Sequence, residues 1–162
     1  MEQAPLDRDQ VAVIAGLYGP LRRFAGAVGP VEVDPDDLVQ EALVRALQVR
    51  PLSEFHDVGA YLRRTIVNLA TSDRRRFRRR RRALARLIGS APAEADPVYP
   101  SDVAELLRLR PRERAVLFLH DVEGYAFREV AEMLGMRDGA VRMMASRGRR
   151  RLRELLTEEA ER

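Results

Sequence analysis

Residues 74–82 read RRRFRRRRR, eight arginines in nine positions. No hydrophobic core admits such a run, because crowded guanidinium groups repel one another within a Debye length of about 10 Å and are costly to desolvate. The tract needs an anion or solvent along its length, so the core must be assembled from the segments on either side. Those segments are aliphatic: the 162 residues are 46% hydrophobic but only 6% aromatic, with no Trp. Their apolar residues recur at spacings of three and four without strict alternation, which predicts helices on both sides. The chain has no Cys, which excludes disulfide scaffolds, thiolate zinc sites, iron–sulfur clusters and cysteine nucleophiles.

The net charge of +4 conceals a strong segregation. Residues 1–60 carry a net −5, residues 61–86 a net +10, residues 87–136 a net −4 and residues 137–162 a net +3. All 29 basic residues are Arg. GC-rich codon usage accounts for that uniformity but not for the placement, in which two basic stretches separated by acidic ones predict two polyanion contacts on one chain.

The apolar pattern predicts one or two helices over Leu6–Val28, carrying Val11, Ile14, Ala15, Leu17, Leu21 and Phe24, with Gly19-Pro20 as a break. Asp34 is placed to cap a second helix with Pro35 in its first turn and Leu38, Ala42, Leu43, Ala46 and Leu47 on one face. A third helix is expected from about Val58 through Tyr61, Leu62, Thr65, Ile66 and Leu69, continuing into the arginine tract. Ser90–Ser101, SAPAEADPVYPS, has three prolines and little apolar content and reads as a linker. Beyond it come an acidic helix near Asp102–Arg108, a helix over about Pro111–Val122, and two more punctuated by Gly124 and Gly135. No apolar run approaches the roughly 20 residues of a membrane span, and Met1–Val11 lacks a signal pattern. The expectation is a cytoplasmic, all-α chain without a membrane span.

FREVAEMLGMRDGAVRMMASRGRR has the form of a helix-turn-helix. Val130, Ala131 and Leu134 give the first helix an apolar face, Gly135 suits a left-handed cap, Met136 tucks into the core and Asp138 can cap the second helix. Val141 and Ala145 then face inward, leaving Arg137, Arg142, Met143, Ser146 and Arg149 outward toward a major groove. Arg147, Arg149, Arg150, Arg151 and Arg153 add phosphate-binding charge. A helical hairpin with a solvated basic face is the alternative for this motif alone. Upstream, Asn68 lies one turn beyond Arg64 beside Thr71, Ser72 and Asp73; an amide can read an unstacked base edge or serve as a cap. The acidic group Asp34, Asp36 and Asp37 is too local for a six-oxygen cation site. His56 and His120 lie in different halves with no Ser or Cys nucleophile motif, and His120 reads as a packing or capping residue, so no catalytic residue, metal or cofactor is expected.

Together these segments resemble the sigma-70 family of bacterial RNA polymerase sigma factors, in its small two-domain extracytoplasmic-function (ECF) group. DPDDLVQEALVRAL is similar to that family's polymerase-binding helix, AYLRRTIVNLATSDRRR to its melting and minus-ten-reading segment, and LRPRERAVLFLHDVEGYAFREVAEMLGMRDGAVR to its minus-thirty-five-reading domain. The resemblance implies a region 2 helical bundle over residues 1–88, a flexible linker over 89–101 and a region 4 helix-turn-helix domain over 102–162. It implies that Asp37, Leu38, Gln40, Glu41 and Arg45 dock on core RNA polymerase. Arg64, Asn68 and a loop over Ala70–Asp73 carrying Thr71 and Ser72 would capture a flipped nontemplate base while Arg74, Arg75 and Arg76 hold phosphates. Arg128, Arg137, Asp138, Ala140, Arg142, Met143, Ser146, Arg147 and Arg149 would engage the minus-thirty-five duplex. The partners implied are core polymerase and promoter DNA, duplex and melted; an anti-sigma protein joins them by resemblance, though no residue identifies one. Met143 and Met144 stand where the family offers phosphate-binding side chains, which predicts weak or unusual DNA reading, and Tyr61 stands where Trp is common. An autonomous helix-turn-helix regulator is the competing expectation; it would need a dimerisation segment, and the sequence shows no heptad seam.

Overall fold

The computed structural model describes residues 8–72 and 106–160, with the side chains of the last two excepted. The arginine tract, Asp73, Arg74–Arg76, the linker and most of the expected helix near Asp102 lie outside the described residues. All regular structure among the described residues is helical.

Helix α1 spans Arg8–Val28 and runs unbroken through Pro20, against the break expected at Gly19-Pro20. A proline inside a helix costs about 3 kcal/mol. Burial of Leu21, Phe24, Ala25 and Val28 just downstream offsets it, since a fully buried Leu or Phe side chain contributes roughly 1.5–3 kcal/mol. By length and composition α1 could cross a membrane, with a mean hydropathy of 1.2 over 18 residues, which corrects the expectation that no such run exists. In this structure the C-terminal half of α1 lies in the bundle, while Arg22 and Arg23 face out and Val11 stays exposed.

Helix α2, Pro35–Val49, starts as its sequence predicts: Asp34 Oδ1 accepts from the Asp36 amide at 2.8 Å, and Pro35 occupies the first turn. Leu38, Val39, Ala42 and Ala46 are buried, with Leu43 and Leu47 half-buried beside them. A 3-10 turn over Leu52–Glu54 leads to helix α3, residues 58–72, whose buried stripe runs through Leu62, Ile66, Val67, Leu69 and Ala70.

Helix α4, Pro111–Leu117, passes into a π-helical turn over Phe118–Val122. Its entry is held by Glu113 Oε2 accepting from the Arg110 amide at 3.0 Å. Helix α5, Phe127–Leu134, ends at Gly135, whose φ of +65° is the left-handed cap expected there. Helix α6, Asp138–Ala160, crosses α4 closely at Gly148, where a Cβ would stand 2.9 Å from Leu117 Cδ1.

The two halves share one core. The Phe24 ring meets the Phe118 ring edge-on at 6.0 Å. Arg114 is buried between the halves: Nη1 donates to Leu107 O at 3.1 Å and Leu109 O at 2.9 Å, and Nη2 donates to Val28 O and to Gly29 O at 3.0 Å. A guanidinium thus takes up the orphan carbonyls at the C-terminal end of α1.

Candidate functional site

The outer face of α2 is a polar ridge. Asp34 is occupied as a cap, and Asp36 turns toward α1, where its Oδ1 accepts from Tyr18 Oη and Arg22 Nε, both at 2.9 Å. The Tyr18 hydrogen bond first, and the Arg22 hydrogen bond next, hold the Asp36 carboxyl below its ordinary pKa. The same contact raises the Tyr18 hydroxyl and the Arg22 guanidinium. Asp37 is outward, followed by exposed Gln40, Glu41 and Arg45 one and two turns on. Glu41 and Arg45 pair at 2.8 Å with about half of each side chain in solvent. Leu38 is core at 2% exposure, as its spacing predicts, which takes it out of the docking surface that the family resemblance implied and leaves the ridge to its polar neighbours.

On α3, Arg64 and Asn68 are exposed one turn apart, as expected, with Ser72 exposed beyond them. Thr71 is half-buried and its hydroxyl donates to Val67 O at 2.7 Å. Residues 70–72 are helical and Ala70 is buried, which corrects the loop expected over Ala70–Asp73. Arg63, the neighbour of Arg64, points inward at 7% exposure, 3.6 Å from Glu123 and over the Tyr125 ring at 6.0 Å.

In the helix-turn-helix, Val130, Ala131, Leu134, Val141 and Ala145 are buried and Met136 is half-buried, as the sequence predicts. Asp138 does not cap α6. It is the first helical residue, and its Oδ2 accepts from Arg142 Nε at 2.8 Å. The outward surface carries Arg137, Ala140, Arg142, Met143, Ser146 and Arg147. Met144 packs on the core while Met143 is 55% exposed, so the two methionines have different fates.

Behind this face stands an aromatic brace that no local pattern announces. Phe127 stacks on His120 at 3.8 Å, and the guanidinium groups of Arg142 and Arg149 lie 5.1 and 5.9 Å from its centroid. His120 Nδ1 sits 2.7 Å from Tyr125 O, the packing role expected of it. Arg149 also pairs with Asp121, and that hydrogen bond raises its pKa. Arg128 pairs with Glu132 at 3.2 Å, both strongly exposed. Exposed ion pairs of this kind contribute about 0.3–0.5 kcal/mol, so Arg128 and Arg142 can exchange their carboxylates for phosphate at small cost.

This geometry defines a two-part helical protein in which an acidic-to-polar ridge, suited to a protein surface, accompanies a basic helix-turn-helix suited to duplex DNA. Comparison with known proteins supports that division. Residues 13–94 match the family model described as Sigma-70 region 2, and residues 103–152 match Sigma-70, region 4. The chain is 32% identical over 149 residues to the RNA polymerase sigma-E factor of Streptomyces coelicolor, covering 84% of this chain and 79% of that one. It is also 32% identical over 150 residues to the ECF RNA polymerase sigma factor SigE of Mycolicibacterium smegmatis, covering 85% of this chain and 58% of that protein. It spans 40% of the RNA polymerase sigma factor CarQ of Myxococcus xanthus, at 39% identity over 70 residues. Among solved structures, the sigma factor RpoE from Bartonella quintana, in complex with the anti-sigma factor NepR, superposes with a TM-score of 0.64 at 23% identity, over 93% of this chain and 98% of that one. The chain belongs to the sigma-70 family, in its extracytoplasmic-function group.

Proposed function

We propose that this chain is a promoter-specificity subunit: it binds core RNA polymerase, directs it to promoters and stabilises the melted DNA at initiation. The observation that carries the proposal is the pairing, on one chain and in order, of a region 2 match bearing an outward polar helix ridge and a region 4 match folded as a helix-turn-helix. It acts in the cytoplasm and is not itself a catalyst; phosphodiester chemistry belongs to the polymerase.

In this reading Asp37, Gln40, Glu41 and Arg45 meet the polymerase. Arg64 and Asn68, with Thr71 and Ser72 beside them, engage a flipped nontemplate base, and Arg74, Arg75 and Arg76 hold the flanking phosphates. Arg137, Ala140, Arg142, Met143 and Ser146 face the minus-thirty-five major groove, with Arg128, Arg147 and Arg149 on its phosphates. Opening DNA costs about 1.4 kcal/mol of stacking per base-pair step, so several steps must be offset by captured bases, phosphate contacts and the polymerase together. Exposed Met143 offers an apolar contact to a thymine methyl in place of a phosphate bond. An anti-sigma protein is a further partner, supported by the complex in which RpoE was solved.

The test is transcription in vitro with purified core polymerase on a fragment library from the source genome. Promoter-specific transcripts that depend on the chain are expected. Their absence, with tight binding of duplex DNA by the chain alone, would refute this function in favour of an autonomous regulator.

A further inference from the structure

Behind the outward face of α6 the side chains form a clamp. The π-helical turn, closed by Glu123 N donating to Phe118 O at 3.0 Å five residues back, delivers His120 to the start of α5 and Asp121 to the middle of α6. Widened turns of this kind recur at functional sites. His120 Nδ1 faces the Tyr125 carbonyl at 2.7 Å and must carry the hydrogen, which sets the orientation of the ring. Phe127 stacks on that ring with centroids 3.8 Å and planes 22° apart, so its own position is set in turn.

Two guanidinium groups lie within the roughly 6 Å cation–π range of the Phe127 ring, and they are held differently. Arg149 gives both Nε and Nη2 to Asp121, so its fork is already filled. Arg142, one turn into α6, gives only Nε, to Asp138 Oδ2 at 2.8 Å, and its two terminal nitrogens make no hydrogen bond among the described residues. The ring lies 5.1 Å from its Cζ and the carboxylate sits on Nε, which leaves Nη1 and Nη2 as an open pair of donors on a side chain 60% exposed. Such a coplanar pair matches the O6 and N7 acceptors of guanine in a major groove, whereas a filled fork has a single donor left for a phosphate oxygen.

We infer that Phe127 and Asp138 are positioning residues for base reading: they hold Arg142 so that its terminal nitrogens take a guanine of the minus-thirty-five duplex. The inference deepens the sigma reading above and rests on it for the duplex involved. An arginine free in solvent loses rotamer freedom on binding. One held by a ring and a carboxylate has given up much of that freedom already, so the contact forms at lower cost and discriminates more sharply. Phosphate also fits an open fork, but Arg142 stands where the early turns of a recognition helix meet base edges. The two ligands leave different signatures, because a phosphate contact carries no sequence information and its loss weakens all duplexes alike.

The test uses the full chain in holoenzyme, on duplexes of a promoter selected in the transcription assay, with each base pair of the minus-thirty-five element exchanged in turn. Arg142→Ala is expected to erase the penalty for exchanging one G·C pair, about tenfold in the wild type, and to leave the other penalties unchanged. Phe127→Leu and Asp138→Asn should each cut that same penalty to about threefold or less. Phe127→Tyr should keep it, and Phe127→Leu added to Arg142→Ala should change nothing further at that pair. A thermal melt accompanies each variant; D138N leaves the apolar packing in place and decides the matter if F127L unfolds. Full penalties in F127L and D138N, or losses spread evenly over all positions with a weaker salt dependence, would overturn the inference. Should no transcript depend on the chain, the sigma reading fails by that sign alone, and the same exchanges in a duplex selected by the chain without polymerase still decide the clamp. Binding to no duplex in either form would overturn it as well.

Discussion

Replacing Arg114 with Met tests the buried polar link between the two halves of the structure. The side chain is 4% exposed, and its two terminal nitrogens serve four carbonyls, Leu107 O and Leu109 O in one half and Val28 O and Gly29 O in the other. Hydrogen bonds to a charged group contribute about 1.5–3 kcal/mol each, and a buried carbonyl left without a donor costs about 1–3 kcal/mol. The full sum is not realised, because Val28 O and Gly29 O recover water once the halves part. The loss confined to Leu107 O, Leu109 O and the junction is then about 3–5 kcal/mol, comparable with breaking a buried pair from one side. At about 2–4 °C per kcal/mol for a chain of this size, the melting temperature should fall by about 6–20 °C. The assay is urea and thermal unfolding followed by circular dichroism, with exposed Arg112→Met as control. The variant should also broaden or split the transition, since the α1 end and α4 no longer unfold as one. A stability within 1 kcal/mol of the control and an unchanged single transition would refute the assignment of Arg114 as the link between the halves.

Four further outcomes follow from the sites. Gly135→Ala forces a left-handed residue with a side chain against Arg64 and should cost at least about 1 kcal/mol in unfolding, with Gly135→Asn milder; equal stability of Ala and Gly would contradict the cap. Asn68→Ala should reduce open-complex formation, read by permanganate reactivity of melted thymines, more than polymerase affinity; equal losses in both would defeat the base-capture role. Asp37→Arg should weaken holoenzyme assembly at least tenfold in a binding titration, and an unchanged affinity would remove the α2 ridge from the polymerase interface. The lowered folded-state pKa of Asp36 contributes stability that is fully present above the ordinary carboxylate value of about 3.9 and is lost as pH falls through the folded value. Asp36→Asn should therefore flatten the acid limb of a melting-temperature profile and leave its slope above pH 5 unchanged; a wild-type acid limb in the variant would show that the Tyr18–Asp36–Arg22 contact contributes nothing.

Local chemistry made much of the fold legible. Asp34-Pro35 starts α2 and Gly135 ends α5 because capping is decided within a few residues, and the apolar spacing identified Leu62, Ile66 and Leu69, Val130 and Leu134, and Val141 and Ala145 as core. The errors arose where packing outweighed a local preference. Pro20 breaks an isolated helix but not one anchored by Leu21, Phe24 and Val28. Leu38 sits in the apolar arc of α2 as its spacing predicts; only the docking role implied by the family resemblance had it facing a partner. Asp36, unassigned among the acids, is taken by α1, an element no local pattern connects to it.

The arginines carry the more general lesson. Their number encourages a reading in which each one faces solvent or an anion, yet Arg63 and Arg114 are buried. A signal for this did exist: Arg63 falls on the stripe 59, 62, 63, 66, 70, and Arg114 on the arc 111, 114, 115, 118, so by spacing both lie among apolar residues. What the spacing does not disclose is the partner, because the carbonyls at Val28 and Gly29 are 86 and 85 residues away from Arg114 and are not side chains at all. An arginine on an apolar stripe is therefore better read as a request for buried acceptors from elsewhere in the chain than as a misplaced surface charge. In this protein the request is met across the boundary between the two halves, where Arg63 and Arg64, adjacent in sequence and about 100° apart around α3, both end on the helix-turn-helix half.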